Sequence, residues 1–227
     1  MSIIFTTSVS FVIDVAYSSH VDFVHPVRSL IPGVQGRVLA VLSETTAELS
    51  LRTLARLADV SVAQASRVMP GLVDLGLVER REVPPSSQFR LVHEHVAAQA
   101  ILALTNARAI AIREIGEAAS SIDPPPASVV VFGSFARGEA DRDSDIDLVV
   151  IRDDTVDEDD ERWSESLDTW RRRVHSVTGN TIELLHVSAS EASWKLRSRS
   201  ELWQNIQREG VVIYGAPFAA FAEQVDA

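Results

Sequence analysis

Three consecutive prolines, Pro124 to Pro126, interrupt the chain just past its middle. Proline fixes its own backbone angle and lacks the amide hydrogen that a helix or a central strand needs, so neither element can run through this point. Upstream of the prolines, apolar residues recur at helical spacings, whereas a continuous β-branched run follows them. The 227 residues are enough for two small domains, each with its own core. We therefore expect two domains.

Composition narrows the kinds of site that the chain can build. The sequence contains no cysteine, so disulfides and thiolate metal sites are excluded, and any metal must be held by Asp, Glu, His or water. A cytoplasmic protein fits this composition. The net charge of −11 argues against a uniformly basic nucleic-acid binder. Acidic residues crowd between 139 and 161, so a local basic face is compatible with an acidic whole. The arginines that could form such a face in the first half are Arg52, Arg56, Arg67, Arg80, Arg81 and Arg90.

The first twenty residues are apolar enough to resemble a targeting segment. They have no basic residue before the apolar run, and Asp14 interrupts it, so we expect residues 1–25 to be an N-terminal extension, strand-like or loose. No uncharged apolar stretch is long enough for a membrane span, and we expect no membrane association.

Residues 26–95 have the spacing of three helices followed by a β-hairpin. Ser61 is placed to cap the third helix, and Gly76 is placed to end it. Strand-like runs at Leu77 to Val83 and Gln88 to His93 flank a turn at 84–87. The predicted inward faces of the three helices are Val34, Val38, Leu39 and Leu42, then Leu51, Leu54 and Ala55, then Ala65, Val68, Leu72 and Leu75.

This pattern resembles the winged helix-turn-helix regulators of the ArsR and MarR type, notably in "LARLADVSVAQASRVMPGLVDLGLVERR". The resemblance implies a domain that binds double-stranded DNA, with the third helix in the major groove and the wing on phosphate. The residues predicted to contact DNA are Ser61, Gln64, Ser66, Arg67, Arg80, Arg81 and Arg90. Pro70 should kink the third helix. The alternative is a module for protein interaction or dimerisation.

Residues 96–124 are predicted to form one long connector helix, because Val96 to Ser121 contains no proline and carries an apolar stripe. A second apolar face, formed by Leu102, Ala109, Ile110 and Ile112, packs either on its own domain or in a homodimer seam.

The run "SVVVFGSFARGEADRDSDIDLVVIRDD" carries the most chemistry. A buried strand over Ser128 to Phe132 ends at Gly133 and Ser134, where exposed amides and a hydroxyl can cradle phosphate oxygens. Asp145 and Asp147 alternate at the start of the next strand, so both carboxylates share one face, with their Cα atoms about 7 Å apart. Two such carboxylates repel each other unless a divalent cation neutralises them. The pair therefore predicts a Mg²⁺ site.

The same residues, with Arg137, Ser144 and the closing "REGVVIYG", resemble the minimal nucleotidyltransferases of the DNA polymerase beta superfamily. The resemblance implies an α/β (α+β) domain over residues 125–227, with a mixed sheet flanked by helices. It also implies a third carboxylate on a neighbouring strand, where this chain has Glu183. Asp145, Asp147 and Glu183 would then be the catalytic and metal residues, holding two Mg²⁺ ions. Gly133, Ser134, Arg137 and Ser144 would bind ATP or another nucleoside triphosphate.

Three functions follow from these resemblances. The first is an enzyme that transfers a nucleoside monophosphate, AMP in the leading case, to a protein, RNA or small-molecule acceptor. The second is a transcriptional regulator whose transferase-like domain senses nucleotide or dimerises. The third is an antitoxin with a helical toxin partner.

Other conspicuous side chains have simpler interpretations. We expect Trp163 and Trp170 in the core, the acidic run from Asp153 in solvent, and His175 and His186 away from any metal.

Overall fold

The computed structural model describes residues 21–222, so most of the predicted extension, residues 1–20, lies outside the described part of the chain. The first half contains α1 (Pro26–Leu30), α2 (Gly33–Ser43), β1 (Leu49–Ser50), α3 (Leu51–Leu57), α4 (Val62–Asp74), β2 (Val78–Val83), β3 (Ser86–Leu91) and α5 (Val96–Thr105). The three strands form an antiparallel sheet in the order β1-β3-β2. The predicted winged helix-turn-helix architecture is confirmed.

The local signals around α4 work as expected. Ser61 and Gln64 form a reciprocal capping box, with the Gln64 amide donating to Ser61 Oγ at 3.1 Å and the Ser61 amide donating to Gln64 Oε1 at 2.8 Å. Gly76 takes the left-handed conformation that ends the helix, at φ +70°. The helix continues through Pro70.

Two details of this half differ from the sequence prediction. Leu75, expected in the core, is 66% exposed because α4 ends at Asp74 and Leu75 already belongs to its cap; Met69 fills the inward position instead. The hairpin is tighter than predicted, since Val83 pairs with Ser86 and only two prolines remain in the turn.

The prediction of a single connector helix over residues 96–124 was wrong. The chain forms α5 and then a separate α6 (Ala107–Ala119), and Asn106 lies between them. At the break, the Thr105 hydroxyl donates to the Leu102 carbonyl at 2.7 Å, and the Asn106 side-chain Nδ2 donates to the same carbonyl. Such local side-chain bonds compete with the backbone bonds of a helix. The two helices also serve different cores, because Ile101 of α5 packs in the first half and Ile115 of α6 packs in the second.

The second half contains α6, β4 (Ser128–Phe132), α7 (Gly133–Arg137), β5 (Ile146–Arg152), α8 (Glu161–Thr178), β6 (Ile182–Ser188), α9 (Ala189–Leu196), α10 (Glu201–Glu209), β7 (Val211–Gly215) and α11 (Phe218–Ala222). The sheet order is β6-β5-β4-β7; β5 and β6 are parallel and the other pairs antiparallel. The expected mixed sheet flanked by helices is therefore confirmed.

Helices cover this sheet on both faces. On one face, Ile146, Leu148 and Val150 pack with side chains of α6 and α8, including Trp163 and Trp170, whose predicted core positions are confirmed. On the other face, Val149 and Ile151 pack with α9, α10 and α11. The central strand β5 is thus buried along most of its length, which holds its first residues in a fixed position.

The chain crosses between the two halves near its start as well as at Asn106. Phe23 is buried in the core of the second half, whereas Val27, four residues later, is buried in the core of the first. None of the helices in residues 21–222 combines the length and the apolar character needed to cross a membrane.

Candidate active site

The two aspartates of the sequence motif stand at the beginning of β5. Asp145 immediately precedes the strand and Asp147 is its second residue, and both are partly buried. In the parallel pairing of β5 with β6, Asp147 lies opposite Glu183. The antiparallel pairing on the other side places Phe132, the last residue of β4, opposite Asp147 as well. Three carboxylates and the Gly133 turn therefore meet at one end of the sheet.

The pKa of Asp147 is raised above its ordinary value. Burial is the largest cause, and the negative charges of Asp145 and Glu183 add to it, while Arg137 acts in the opposite direction. The three carboxylates are consequently close enough to repel one another. Such an arrangement favours a bound cation.

Glycine is the residue type that the conformation and the surroundings of position 133 require. Its φ of +66° lies in the left-handed region, and an added Cβ would overlap Oδ2 of Asp147. The backbone of the turn thus approaches the Asp147 carboxylate more closely than any side chain would allow. Ser134 follows at the start of α7, where the first amides have no carbonyl partner within the helix.

Arg137 and Ser144, both predicted to bind nucleotide, have other partners in this structure. The Arg137 guanidinium lies between Glu139, at 2.7 Å, and Glu209, at 2.6 Å. The Ser144 hydroxyl donates to Asp141 at 2.8 Å and accepts from the Asp141 amide at 3.1 Å, which closes the loop before Asp145. Their role in nucleotide binding stays a prediction.

Arg108 on α6 is a site residue that sequence reasoning missed. Its Nε donates to the Phe135 carbonyl at 2.6 Å, and its Nη2 donates to the Ala136 carbonyl. These bonds satisfy the C-terminal carbonyls of the short helix α7 and fix the turn that begins at Gly133. The signal in the sequence was an arginine among the apolar residues of the first turns of α6, ahead of the charged residues Arg113, Glu114 and Glu117.

Asn180 was also missed, and nothing in its local sequence distinguishes it from a loop residue. It is fully buried, and its side-chain amide donates to the Ser144 carbonyl at 3.2 Å, one residue before Asp145. Only the three-dimensional pairing of β5 with β6 brings the loop after α8 beside the loop before β5.

The carboxylates suit a divalent cation chemically, because Mg²⁺ prefers oxygen ligands and usually takes only one or two carboxylates from the protein. Within residues 21–222, no three acidic or histidine side chains converge tightly enough to form a ready-made metal site. Asp145 and Asp147 are the best placed ligands, with Glu183 on the adjacent strand as the third.

The chain matches the nucleotidyltransferase domain family over residues 112–209. It also matches the IclR helix-turn-helix domain family over residues 36–82. The chain therefore carries a nucleotidyltransferase domain behind a helix-turn-helix domain. The helix-turn-helix family is of the IclR type, where the sequence suggested the related ArsR and MarR type.

Two solved structures are similar to part of this chain. One is a toxin-antitoxin with AMP-PNP, at 23% identity, covering 49% of this chain and 80% of that one, with a TM-score of 0.35. The other is a mutant of the toxin-antitoxin MntA-HpeT, at 21% identity, with the same coverage and TM-score. Among curated proteins, none matches this chain.

A cleft runs beside the three carboxylates, between α8 and the edge of β6. Its volume is about 420 Å³, and its lining includes Trp163, Arg171, Glu183 and His186. Trp163 Nε1 and His186 Nδ1 are buried there without a hydrogen-bond partner in the described part of the chain. Both atoms are shielded from solvent, so each lacks the hydrogen bond that a buried polar atom usually makes.

The helix-turn-helix domain presents its predicted DNA contacts unevenly. Ser66 and Arg67 are exposed on α4, whereas Ser61 and Gln64 are also exposed but already occupied by the capping box. The wing arginines carry ion pairs at 2.6 Å: Arg80 with Glu82, Arg81 with Glu48, and Arg90 with Glu79. Acidic neighbours thus offset much of the positive charge of the wing.

Proposed function

We propose that this chain transfers a nucleoside monophosphate, AMP from ATP in the leading case, to an acceptor hydroxyl in a Mg²⁺-dependent reaction. The observation that carries the proposal is the register of the second sheet, which sets Asp147 beside both Asp145 and Glu183 and against the Gly133 turn. A nucleotidyltransferase domain with these carboxylates intact is best explained by transfer.

The chain's own residues have separable roles in this proposal. The amides of Gly133 and Ser134 hold the β and γ phosphates, and Asp145, Asp147 and Glu183 would hold two Mg²⁺ ions. When bound, the ions would neutralise the triphosphate and stabilise the attacking and leaving oxygens. The acceptor oxygen forms a bond to the α-phosphorus while the bond from that phosphorus to the β-bridging oxygen breaks, releasing pyrophosphate. Glu183, the most exposed of the carboxylates, accepts the hydroxyl proton.

The cleft between α8 and β6 is our proposed entry for the acceptor. It leads to Glu183, and its lining includes the polar side chains of Arg171 and His186. The proposal includes all three acceptor classes: a protein side chain, the end of an RNA and a small molecule.

Incubation with α-labelled ATP and Mg²⁺ tests the proposal directly. The wild-type chain should transfer label to a supplied acceptor, and Asp145→Asn and Asp147→Asn should not. Asp159→Asn, which removes the same charge from the exposed acidic run, is the matched control and should retain full transfer. Binding of labelled ATP without transfer to any protein, RNA or small-molecule acceptor would overturn the enzymatic proposal.

That outcome would favour the second candidate, a regulator that senses nucleotide. One observation supports it: a helix-turn-helix domain is joined to the nucleotidyltransferase domain in one chain, and a DNA-binding module beside a nucleotide-binding fold suits a regulator. The antitoxin hypothesis, with a helical toxin as partner, rests on the sequence resemblance and stays a prediction, as does the homodimer.

The helix-turn-helix domain is proposed to bind double-stranded DNA through α4 and the wing. The match to a helix-turn-helix family and the exposure of Ser66 and Arg67 support this proposal. A gel shift at stated salt, with the chain's own upstream DNA against unrelated DNA, tests it. Equal affinity for both sequences would contradict a specific regulatory role.

A further inference from the structure

We propose that Asn180 is a positioning residue for Asp145. Residues Val21 to Phe23, called the strap below, contact Asn180 and help to fix the loop that carries Asp145. This inference rests on the proposed function, because it concerns the placement of the same carboxylates. The strap lies before the helix-turn-helix domain in sequence, yet it packs on the nucleotidyltransferase domain.

The side chain of Asn180 uses both its acceptor and its donors. Oδ1 accepts from the Val21 amide at 3.0 Å, and Nδ2 donates to the Val21 carbonyl at 3.3 Å and to the Ser144 carbonyl at 3.2 Å. The residue is completely buried, so water cannot replace these partners. Asn180 therefore joins the strap to the loop that carries Asp145.

The backbone around Asp145 is held from both sides. Asn180 fixes the Ser144 carbonyl before it, and the Ile146 amide after it donates to the Thr181 carbonyl at 2.9 Å. Both anchors belong to the same short segment between α8 and β6. Loss of the Asn180 anchor frees one side of Asp145 and leaves the β5–β6 pairing in place.

The strap makes two further contacts with the loops of the site. The Phe23 amide donates to the Ala140 carbonyl at 3.0 Å. The Phe23 ring meets the Phe135 ring edge-on, with centroids 4.9 Å apart and an interplanar angle of 82°. Phe135 belongs to α7, directly after the Gly133 turn, so the strap supports the turn and the Asp145 loop together.

The test uses the full chain and compares Asn180→Ala with Asn106→Ala, which removes the same side chain from the exposed connection between α5 and α6. Mn²⁺ binding is measured by electron paramagnetic resonance, and hydrogen exchange is followed at the amides of residues 141–146. We expect Asn180→Ala to weaken Mn²⁺ binding about tenfold and to speed exchange in this loop, as loss of outer-shell support does at metal sites. Asn106→Ala should change neither quantity.

Two more variants keep the inference testable if Asn180→Ala does not fold. Asn180→Asp keeps the volume and one acceptor but loses the Nδ2 donors, and Phe23→Leu keeps an apolar side chain but loses the ring contact. Both should speed exchange at 141–146 while urea unfolding remains cooperative. Unchanged exchange and unchanged Mn²⁺ affinity in folded Asn180 variants would overturn the inference. Wild-type Mn²⁺ binding without label transfer would instead remove the proposed function alone, since neither readout requires turnover.

Discussion

Asp147 and Glu183 occupy paired positions on the two parallel strands β5 and β6. Glu183 contributes to the raised pKa of Asp147, so the two carboxylates interact directly through their charges. Because Glu183 is the more exposed of the pair, it is available to an incoming acceptor, whereas Asp147 faces the Gly133 turn.

Glu183→Gln should therefore lower the rate of transfer about a hundredfold or more, since a neutral amide cannot take the hydroxyl proton. The Michaelis constant for ATP should change less than the rate constant. Steady-state kinetics with α-labelled ATP measure both. Glu165→Gln, on the exposed side of α8, serves as control, and equal rates in the two variants would show that Glu183 takes no part.

Gly133→Ala should lower transfer by about a hundredfold, because its Cβ must displace the Asp147 carboxylate from its present position. The positive φ adds a stability cost of about 1 kcal/mol. Gly71→Ala is the contrasting variant, since a Cβ there meets nothing within 4 Å and the residue lies inside α4. It should raise the free energy of unfolding by about 0.5–1 kcal/mol without affecting transfer. Urea unfolding and label transfer together check this pair.

Arg108→Ala should destabilise the chain by about 1.5–3 kcal/mol, because two carbonyls of α7 lose a charged donor. Arg113→Ala removes the same charge from an exposed position on the same helix and should cost less than about 0.5 kcal/mol. Urea denaturation with matched m-values distinguishes the two. Similar losses in both variants would mean that Arg108 acts only through its charge on α6.

Arg67→Ala should weaken DNA binding on every sequence and reduce the slope of log affinity against log salt by about one. Glu79→Gln should strengthen DNA binding, because the change weakens the 2.7 Å bond that holds Arg90 and removes a negative charge from the wing. Fluorescence anisotropy with labelled duplex DNA at two salt concentrations measures both, with Arg113→Ala as the charge-matched control. If Glu79→Gln weakens binding, the wing does not contact phosphate.

Much of the fold was predictable because its signals are local. Ser61, Gly76 and the strand over Ser128 to Phe132 depend on neighbouring residues alone, and the structure places them as expected. The break at Asn106 was missed because no proline or glycine marks it, and the side-chain bonds of Thr105 and Asn106 to the Leu102 carbonyl are visible only in the structure. The prediction that Leu75 is buried was wrong, because helical periodicity does not specify where a helix ends.

The candidate site was predictable only in part, for the same reason. Asp145 and Asp147 are neighbours in sequence, so alternation along one strand is enough to pair them. Glu183 came from the family resemblance, and its position opposite Asp147 agrees with that expectation. Arg108 and Asn180 act on the site across 27 and 36 residues of sequence, and no spacing rule reaches that far.

The burial of Phe23 has a consequence for anyone who wishes to divide this protein. A cut at Asn106 would leave Phe23 on the fragment with the helix-turn-helix domain and Phe135 on the other. The nucleotidyltransferase fragment would then expose an apolar socket and lose both partners that Val21 offers Asn180. Residues 21–23 therefore come first in the sequence but pack on the second half. A chimera that replaces either half with that of a relative has to keep residues 21–23 together with the second half.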